Sequence, residues 1–435
     1  MGLESNTQGS ESRLAAYVEA LTAALGHADR AAPFRSYTAG LLLPGARKSV
    51  EPMAARIEPA RVRAAHQSLH HFVAKADWSD DALLAAVRAH VLPVIQQGGP
   101  IRGWMIDDTG IPKKGTHSVG VARQYCGQLG KQDNCQVAVT LSLAADHASL
   151  PIAHRLYLPQ PWAEDPARRA QVGVPDDVTF QTKPQIALAQ IRAAVEAGIP
   201  RATVLADAGY GVDTAFRDGI TELGLAYVVG IQSSTSLWPP GTAPLPPKPW
   251  SGRGRPPSLV RRDAEYAPVS AKALALGLPK RAWRRLTWRE GSNTTLAGRF
   301  AAVRVRPAHR DYNRPTPRPE EWLLVEWPKG EPEPTKYWLS TLPPATTRRA
   351  MVDQAKLRWR IERDYQDLKQ ELGLGHYEGR GWRGFHHHAT LCIAAYGFLI
   401  AERGAFPPSD GFWPPSLQAS VLPDDYRPRG APDPA

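Results

Sequence analysis

The sequence predicts an α/β protein: a mixed β-sheet with flanking helices, interrupted by a β-rich insertion and preceded by a small helical domain. Three observations predict this class. Apolar residues recur at helical spacing over roughly the first hundred residues. Short apolar runs then alternate with helical segments between Trp104 and Ile231. A proline-rich stretch with short strand-like runs follows, and a compact pattern returns at Tyr337.

Residues 1–98 are predicted to form the helical domain. Leu14, Val18 and Leu21 recur at helical spacing, and Ser79 is the predicted N-cap of a helix that begins at Asp80. Scattered basic residues fit a small DNA-binding domain, and a helical packing layer is an equally good interpretation.

The predicted catalytic domain comprises residues 99–232 and 336–405, with residues 233–335 as the β-rich insertion and 406–435 as an irregular, proline-rich tail. Residues 109–134 are expected to form a loop rich in glycine and lysine. The predicted strands are Trp104–Ile106, Gln136–Ala145, Ile152–Leu158, Ala202–Ala206, Ala226–Ile231 and a run from Tyr337. The predicted helices are Pro184–Ala197, Thr214–Leu223, one long helix from Thr347 to Leu372, and Ala389–Ala401.

Composition narrows the function. The chain has 435 residues, which suggests two or three domains, and 53 Lys and Arg against 42 Asp and Glu give a net charge of +11. A basic balance favours a polyanionic partner such as nucleic acid, although net charge alone can also serve solubility. Three cysteines indicate neither a disulfide framework nor a structural zinc site, and favour a reducing compartment. We expect no membrane span and a cytoplasmic location in bacteria.

Two aspartates follow apolar runs that are predicted strands, Asp107 in WMIDDTG and Asp207 in VLADAGYG. Groups at neighbouring carboxyl ends of strands converge in one crevice of an α/β sheet. Paired acids repel each other unless a cation lies between them, and Mg²⁺ is bound by such oxygen ligands. A helix cap or a turn is the commoner role of a single aspartate at the end of a strand.

A third acid lies on the predicted long helix. Arg358, Glu362, Tyr365 and Lys369 are spaced by four, three and four residues, which places them on one helical face. This arrangement fits a metal ligand, Glu362, flanked by cations for DNA phosphates. It fits equally well a surface ion pair between Arg358 and Glu362.

Three blocks of the sequence resemble the signatures of DDE-type insertion-sequence transposases: the segment from WMIDDTG to NCQVAV, VLADAGYG, and the segment from RWRIERDYQDLKQ to HHHATL. The similar branch carries a Y-x2-R-x3-E-x6-K signature, in which Arg358, Glu362 and Lys369 occupy the R, E and K positions. Ala355 stands where that branch has Tyr.

The resemblance implies a ribonuclease-H-like domain with a catalytic triad of Asp107, Asp207 and Glu362, which would also be the metal ligands. Asp108 is the alternative to Asp107, and Glu371 and Glu378 are weaker candidates for the third acid. The implied cofactor is a pair of Mg²⁺ ions, with Mn²⁺ as a substitute. The missing G-x4-G-K-[ST] pattern argues against a nucleotide cofactor.

The implied activity is cleavage of transposon ends, followed by joining of the 3′-hydroxyl to target DNA. The partners would be double-stranded DNA, both terminal inverted repeats and target, and a second copy of the chain in the active complex. An endonuclease without strand transfer and a catalytically silent DNA-binding protein are the alternatives. The candidate DNA contacts in these blocks are Arg358, Tyr365, Lys369, Lys113, Lys114, Arg123 and Lys131.

Two further motifs stand apart. Arg253 and Arg255 lie in a Gly-Arg-Gly-Arg-Pro run like the core of an AT-hook, an extended strip that lays arginines in the minor groove. A flexible basic loop is the better interpretation of so short a motif. His386, His387 and His388 point in different directions from a helix, so we expect them to pack and to face DNA rather than to chelate a metal.

Overall fold

The computed structural model describes residues 4–290 and 295–406, so the predicted tail beyond Phe406 lies outside the described residues. The chain divides into two compact units. Unit 1 comprises residues 4–101, 107–190 and 360–406, and unit 2 comprises residues 102–106, 191–290 and 295–359. The helices before residue 98 belong to unit 1, together with parts of the predicted catalytic domain.

Five helices form the first part of unit 1. Ser79 caps the last of them as predicted, because its hydroxyl oxygen accepts a hydrogen bond from the backbone N–H of Ala82 at 3.2 Å. The second and third were not predicted from apolar spacing. The five are α1 (Glu4–Thr22), α2 (Ala31–Leu42), α3 (Val50–Ile57), α4 (Val62–Ala74) and α5 (Asp80–Gln97).

Helix α14 (Trp382–Ala405) forms the centre of unit 1. Its residues from Gly384 to Ile400 are buried around the whole circumference, as in a helix that is enclosed on all sides. Helices α2, α4 and α5 pack against it, and the Tyr17 hydroxyl of α1 donates to the Ala394 carbonyl oxygen at 2.8 Å. The predicted apolar helix of residues 389–401 is therefore correct but too short.

The first strand of unit 1 is β1 (Gly103–Pro112), whose residues from Asp107 onward belong to this unit. The others are β2 (Ala122–Cys126), β3 (Lys131–Ala144) and β4 (Ser149–Leu156), in the order β2-β3-β1 with β4 on β3. The predicted loop of residues 109–134 is thus wrong in part: β2 and the start of β3 form an antiparallel hairpin there. Its polar residues are ordered by ladder hydrogen bonds, which an apolar pattern does not reveal.

Three helices complete unit 1 before the chain passes into unit 2: α6 (Gln160–Ala163), α7 (Pro166–Val172) and α8 (Lys183–Glu196), the last of which crosses the boundary at Gln190.

In unit 2, the first residues of β1 pair in parallel with β5 (Thr203–Ala206), and β5 pairs in parallel with β6 (Tyr227–Ile231). Helices α9 (Ala208–Gly211) and α10 (Thr214–Glu222) connect β5 to β6. The predicted strands and the helix in this stretch are confirmed to within a residue or two. Their apolar runs, Val204–Ala206 and Tyr227–Ile231, are buried.

The predicted insertion is β-rich in unit 2, as expected. It contains β7 (Ser236–Trp238), β8 (Val269–Ser270), α11 (Ala271–Leu276), β9 (Arg284–Glu290), β10 (Thr295–Pro307) and β11 (Glu321–Pro328). Strand β12 (Lys336–Ser340) pairs antiparallel with both β11 and β6 and so returns the chain to the parallel strands.

Strand β1 is shared by two strand orders, β4-β3-β1 and β1-β5-β6. Together they give the order of a ribonuclease-H-like sheet. Strands β3 and β4 are antiparallel, whereas β1, β5 and β6 are parallel to one another. The predicted fold class is confirmed.

The single long helix predicted from Thr347 to Leu372 is wrong. It consists of α12 (Arg348–Leu357), α13 (Trp359–Gln366) and a π-helical turn (Asp367–Glu371), with Arg358 between the first two. A break and a π turn change the angle per residue, so the regular 3.6-residue count does not hold across Arg358–Lys369. Within the described part of the chain, none of the helices combines the length and apolar run that a bilayer crossing needs.

His388 on α14 is buried in unit 1, and both of its ring nitrogens have oxygen partners. Its Nε2 lies 3.0 Å from the Gly373 carbonyl oxygen, and its Nδ1 lies 2.9 Å from the Tyr37 hydroxyl. Because a carbonyl oxygen only accepts, Nε2 carries the proton and Nδ1 accepts from Tyr37. Burial lowers the pKa of His388 to about 4.

We therefore expect His388 to make the fold acid-sensitive. The unfolded chain takes up this proton below pH ~6.5 and the folded chain only below about 4, so stability falls as the pH drops through this window, by up to about 3 kcal/mol for this residue. Urea unfolding at several pH values should show a flatter pH dependence for His388→Asn than for the wild type. His71→Gln, on the exposed side of α4, is the control; equal slopes for all three proteins would contradict this assignment.

Candidate active site

Asp107 and Asp108 lie within β1 rather than at its end, since the strand continues to Pro112. Successive side chains of a strand point to opposite faces of the sheet, so the two carboxylates face different layers. Thr109 and Ile111 share the face of Asp107, and both line a cavity with Tyr365. The structure therefore directs Asp107 toward the layer that contains α13.

Asp108 faces the other way and has a cationic partner. The Nζ of Lys183, at the start of α8, donates to the Asp108 Oδ2 at 2.7 Å, with both side chains partly buried. In this ion pair the positive charge of Lys183 offsets the negative charge of Asp108. Sequence spacing had no signal for this contact, since 75 residues separate the two.

Tyr365 and Lys369 lie near Asp107 on the side of the helical layer. Burial raises the pKa of Tyr365 well above its usual value, and the negative charge of Asp107 adds to the shift. Burial lowers the pKa of Lys369. The Cys126 thiol and the Asp107 carboxylate oppose this decrease. The Lys369 Nζ donates to the Gly110 carbonyl oxygen of β1 at 2.9 Å. Unit 1 thus brings Asp107, Tyr365 and Lys369 together.

The four residues predicted to share a helical face, Arg358, Glu362, Tyr365 and Lys369, differ in exposure. Glu362 is exposed on α13, whereas Tyr365 is buried at 8% exposure. Tyr365 packs in the interior on the same buried side of α13 as Ile361. Arg358 terminates α12 in unit 2.

A buried carboxyl group anchors the helix that carries Glu362. The Oδ1 of Asp364 accepts hydrogen bonds from the Ser149 hydroxyl at 2.6 Å and from the Tyr396 hydroxyl at 2.9 Å. Burial raises its pKa to about 7, against the effect of these two donors. Asp364 thus joins α13 to β4 and α14. No local sequence pattern marks Asp364, because its partners are 215 and 32 residues away along the chain.

Asp207 follows β5 in unit 2, as predicted, and is the N-cap of α9. Its Oδ1 accepts a hydrogen bond from the Gly209 N–H at 2.8 Å, and the side chain is half-buried. Two glycines let α9 lie directly on β6: a Cβ on Gly211 would be 1.9 Å from the Gly230 carbonyl oxygen, and one on Gly230 would be 2.8 Å from the Ala208 nitrogen. The glycine pattern of VLADAGYG therefore fixes the backbone beside Asp207.

Arg217 of α10 supports the same element. It is 3% exposed, its Nη1 donates to the Gly211 carbonyl oxygen, and its Nη2 donates to the Thr214 hydroxyl at 3.3 Å. Glu321, at the start of β11, is its acidic neighbour; burial raises the pKa of Glu321 and the charge of Arg217 opposes this shift. The predicted insertion is thereby tied to the turn that carries Asp207.

The other predicted DNA contacts differ in accessibility. Lys114, Arg123 and Lys131 are exposed, and Lys131 is 3.2 Å from the Asp133 carboxylate. Lys113 instead turns inward, where its Nζ donates to the Tyr377 carbonyl oxygen at 2.7 Å and burial lowers its pKa. Lys48, one of the basic residues of the helical region, is likewise buried at 2% exposure.

The three consecutive histidines do not face outward. His386, His387 and His388 are all buried, so the expectation that they face DNA is wrong, whereas their predicted packing role is correct. They occupy α14, which is enclosed on all sides. Among the described residues, no three His, Cys, Asp or Glu side chains are grouped so that they could hold a metal ion.

The sequence model of the DDE superfamily endonucleases matches residues 20–295, more than half of the chain. The chain belongs to this family. The predicted resemblance is confirmed at that level, and the matched range includes Asp107 and Asp207. Glu362 lies beyond it, so its assignment rests on the signature around it.

Two further similarities are narrower. The chain is 36% identical over 169 residues to a protein of Microchaete diplosiphon named "Probable transposase for insertion sequence element IS701". This match covers 39% of the chain and 41% of that relative's length. A cryo-EM structure of a piggyBac transposase synaptic complex with hairpin DNA aligns with a TM-score of 0.41 at 11% identity, over 90% of this chain and 69% of that one.

We expect Gly211→Ala to displace α9 from β6, because the new Cβ would overlap the Gly230 carbonyl oxygen. Overpacking of this kind costs about 1–3 kcal/mol or more of unfolding free energy. Thermal and urea unfolding would measure the loss. Gly127→Ala is the matched control, since a Cβ there meets nothing within 4 Å. Identical unfolding curves for the two variants would contradict the close approach.

Proposed function

We propose that this DDE superfamily endonuclease is a DNA transposase that cleaves transposon ends and joins the 3′-hydroxyl to target DNA. The observation that carries the proposal is the different environment of the two aspartates of β1. Asp107 faces the layer of α13, whereas Asp108 is paired with Lys183. The family match and the similarity to a probable insertion-sequence transposase support it. The partners would be double-stranded DNA and, in the active complex, a second copy of the chain.

The proposed cofactor is a pair of Mg²⁺ ions, replaceable by Mn²⁺, held by Asp107, Asp207 and Glu362. All three are carboxylates, the ligand type that Mg²⁺ prefers, and each side chain is at least partly exposed. When bound, such ions supply activation of an attacking oxygen and neutralisation of charge on the leaving oxygen.

Other residues of the chain hold the elements that carry these acids and would contact the DNA. The Gly211–Gly230 contact and Arg217 keep the Asp207 turn in place, and Asp364 holds the helix that carries Glu362. Arg358 is the proposed cation for a DNA phosphate, whereas one of the three Lys369 donors already binds β1. No side chain needs to act as a covalent nucleophile, since water and the DNA 3′-hydroxyl serve in turn.

Asp207→Asn and Glu362→Gln should abolish end cleavage and leave end binding nearly unchanged, because each removes a charge that holds the metal but no DNA contact. The assay uses labelled transposon-end duplex with Mg²⁺ and separates cleaved from joined products on a denaturing gel. Glu371→Gln tests the weaker third acid in parallel. Full activity of either triad variant would remove that residue from the site. Cleavage by the wild type without any joined product would assign the endonuclease function instead.

The aspartate doublet can be resolved by a matched pair. Asp107→Asn should abolish cleavage, while Asp108→Asn should reduce it by about 10–100-fold, the range seen when a supporting group is lost. Adding Lys183→Met to Asp108→Asn should restore stability, because it removes the unpaired partner as well. The reverse order of activities would identify Asp108 as the ligand.

A further inference from the structure

The predicted AT-hook-like segment lies in a long stretch of unit 2 without negative charge. Between Glu222 and Asp263 the sequence contains no Asp or Glu, whereas it contains Lys248, Arg253, Arg255, Arg261 and Arg262. Residues 251–259 are all exposed. Arg261 and Arg262 are ion-paired with Asp263 and Asp311 at the end of the stretch, whereas the stretch itself contains no acid beside Arg253 and Arg255. Such a surface attracts a polyanion.

The base of this segment is held by contacts with other parts of the insertion. Leu245 and Arg261 form a two-way backbone bridge at 2.9 Å, and the Val260 N–H donates to the Arg314 carbonyl oxygen at 2.9 Å. Arg262 is ion-paired with Asp311, which is 1% exposed and also accepts from the Trp238 indole at 2.5 Å.

Above this base the chain forms a narrow tip. The Trp250 indole N–H donates to the Gly254 carbonyl oxygen at 3.1 Å, which closes a turn around Arg253. Gly252 and Gly254 have φ values of 81° and 73°, a region that residues with a Cβ avoid, and a Cβ at either would meet nothing within 4 Å. The extended strip typical of the motif is therefore not present: Arg253 lies within a glycine turn, and Arg255 follows it.

We propose that this tip, residues Trp250–Pro256, binds the minor groove of A/T-rich duplex DNA. A narrow minor groove admits arginine side chains, and its negative potential, which is greatest where A·T runs narrow it, attracts them. Arg253 and Arg255 are the inserted cations, and the clamp at Asp311 fixes the tip in position. The proposal specifies one DNA contact of the proposed transposase and rests on that function.

Binding is measured by fluorescence anisotropy of the full-length protein with duplexes that share their ends and differ only in a central block. The block holds A·T, G·C or inosine·C pairs. Inosine·C resembles A·T in the minor groove, because it lacks the guanine amino group, and resembles G·C in the major groove. The wild type should bind the A·T and inosine·C duplexes about tenfold more tightly than the G·C duplex, equivalent to one base-reading contact.

The double variant Arg253→Ala/Arg255→Ala should lose this preference and reduce the slope of log affinity against log salt by about 2. Arg281→Ala/Lys329→Ala removes two exposed charges elsewhere in the same unit and should keep the preference. Arg253→Lys/Arg255→Lys separates charge from arginine geometry and should keep most of the salt slope.

Several results would overturn the proposal: an inosine·C duplex that behaves like G·C, a preference that survives in the Arg253/Arg255 double alanine variant, an equal loss in the Arg281/Lys329 control, or tighter binding to single strands. Cleavage assays keep the two hypotheses apart. End cleavage and joining without an A·T preference would reject the tip alone. An A·T preference in a protein that never cleaves would reject the transposase and retain the tip.

Discussion

The alternation of side chains along β1 is the constraint on which the candidate site depends. Because the strand continues through the Asp107–Asp108 doublet to Pro112, the pleat sends one acid to each face of the sheet. The α8 side meets Asp108 with Lys183, and the helical side meets Asp107 with Tyr365 and Lys369. A strand that ended at Asp107 would impose no such separation, so the length of β1 gives the two acids different surroundings.

Buried polar groups hold the acids' supporting elements in place. Asp364 receives hydrogen bonds from a strand and from the central helix, and Arg217 binds the backbone that follows Asp207. Burial of such groups is costly unless they are paired, so each pairing favours one arrangement of its helix over its alternatives. Close backbone contact at Gly211 and Gly230 serves the same purpose without polar groups.

The insertion combines support with a basic surface. Glu321 at the start of β11 lies beside Arg217, and Asp311 clamps the base of the acid-free segment through Arg262. A segment this rich in proline and glycine has too few apolar side chains to order itself. Its order comes from a few anchoring contacts at its base, which leave Arg253 and Arg255 exposed.

By itself, the sequence determined the alternation of strands and helices from residue 104 to 231, the β-rich insertion, the family and the position of Asp207 after its strand. These follow from apolar runs, caps and glycines, which act over a few residues. Only the tertiary structure decided the length of β1, the break at Arg358 with the π turn after it, the burial of Tyr365 and the histidines, and the pairing of Asp108 with Lys183. Those features depend on partners far along the chain, and a local pattern carries no information about which distant group will pack against it.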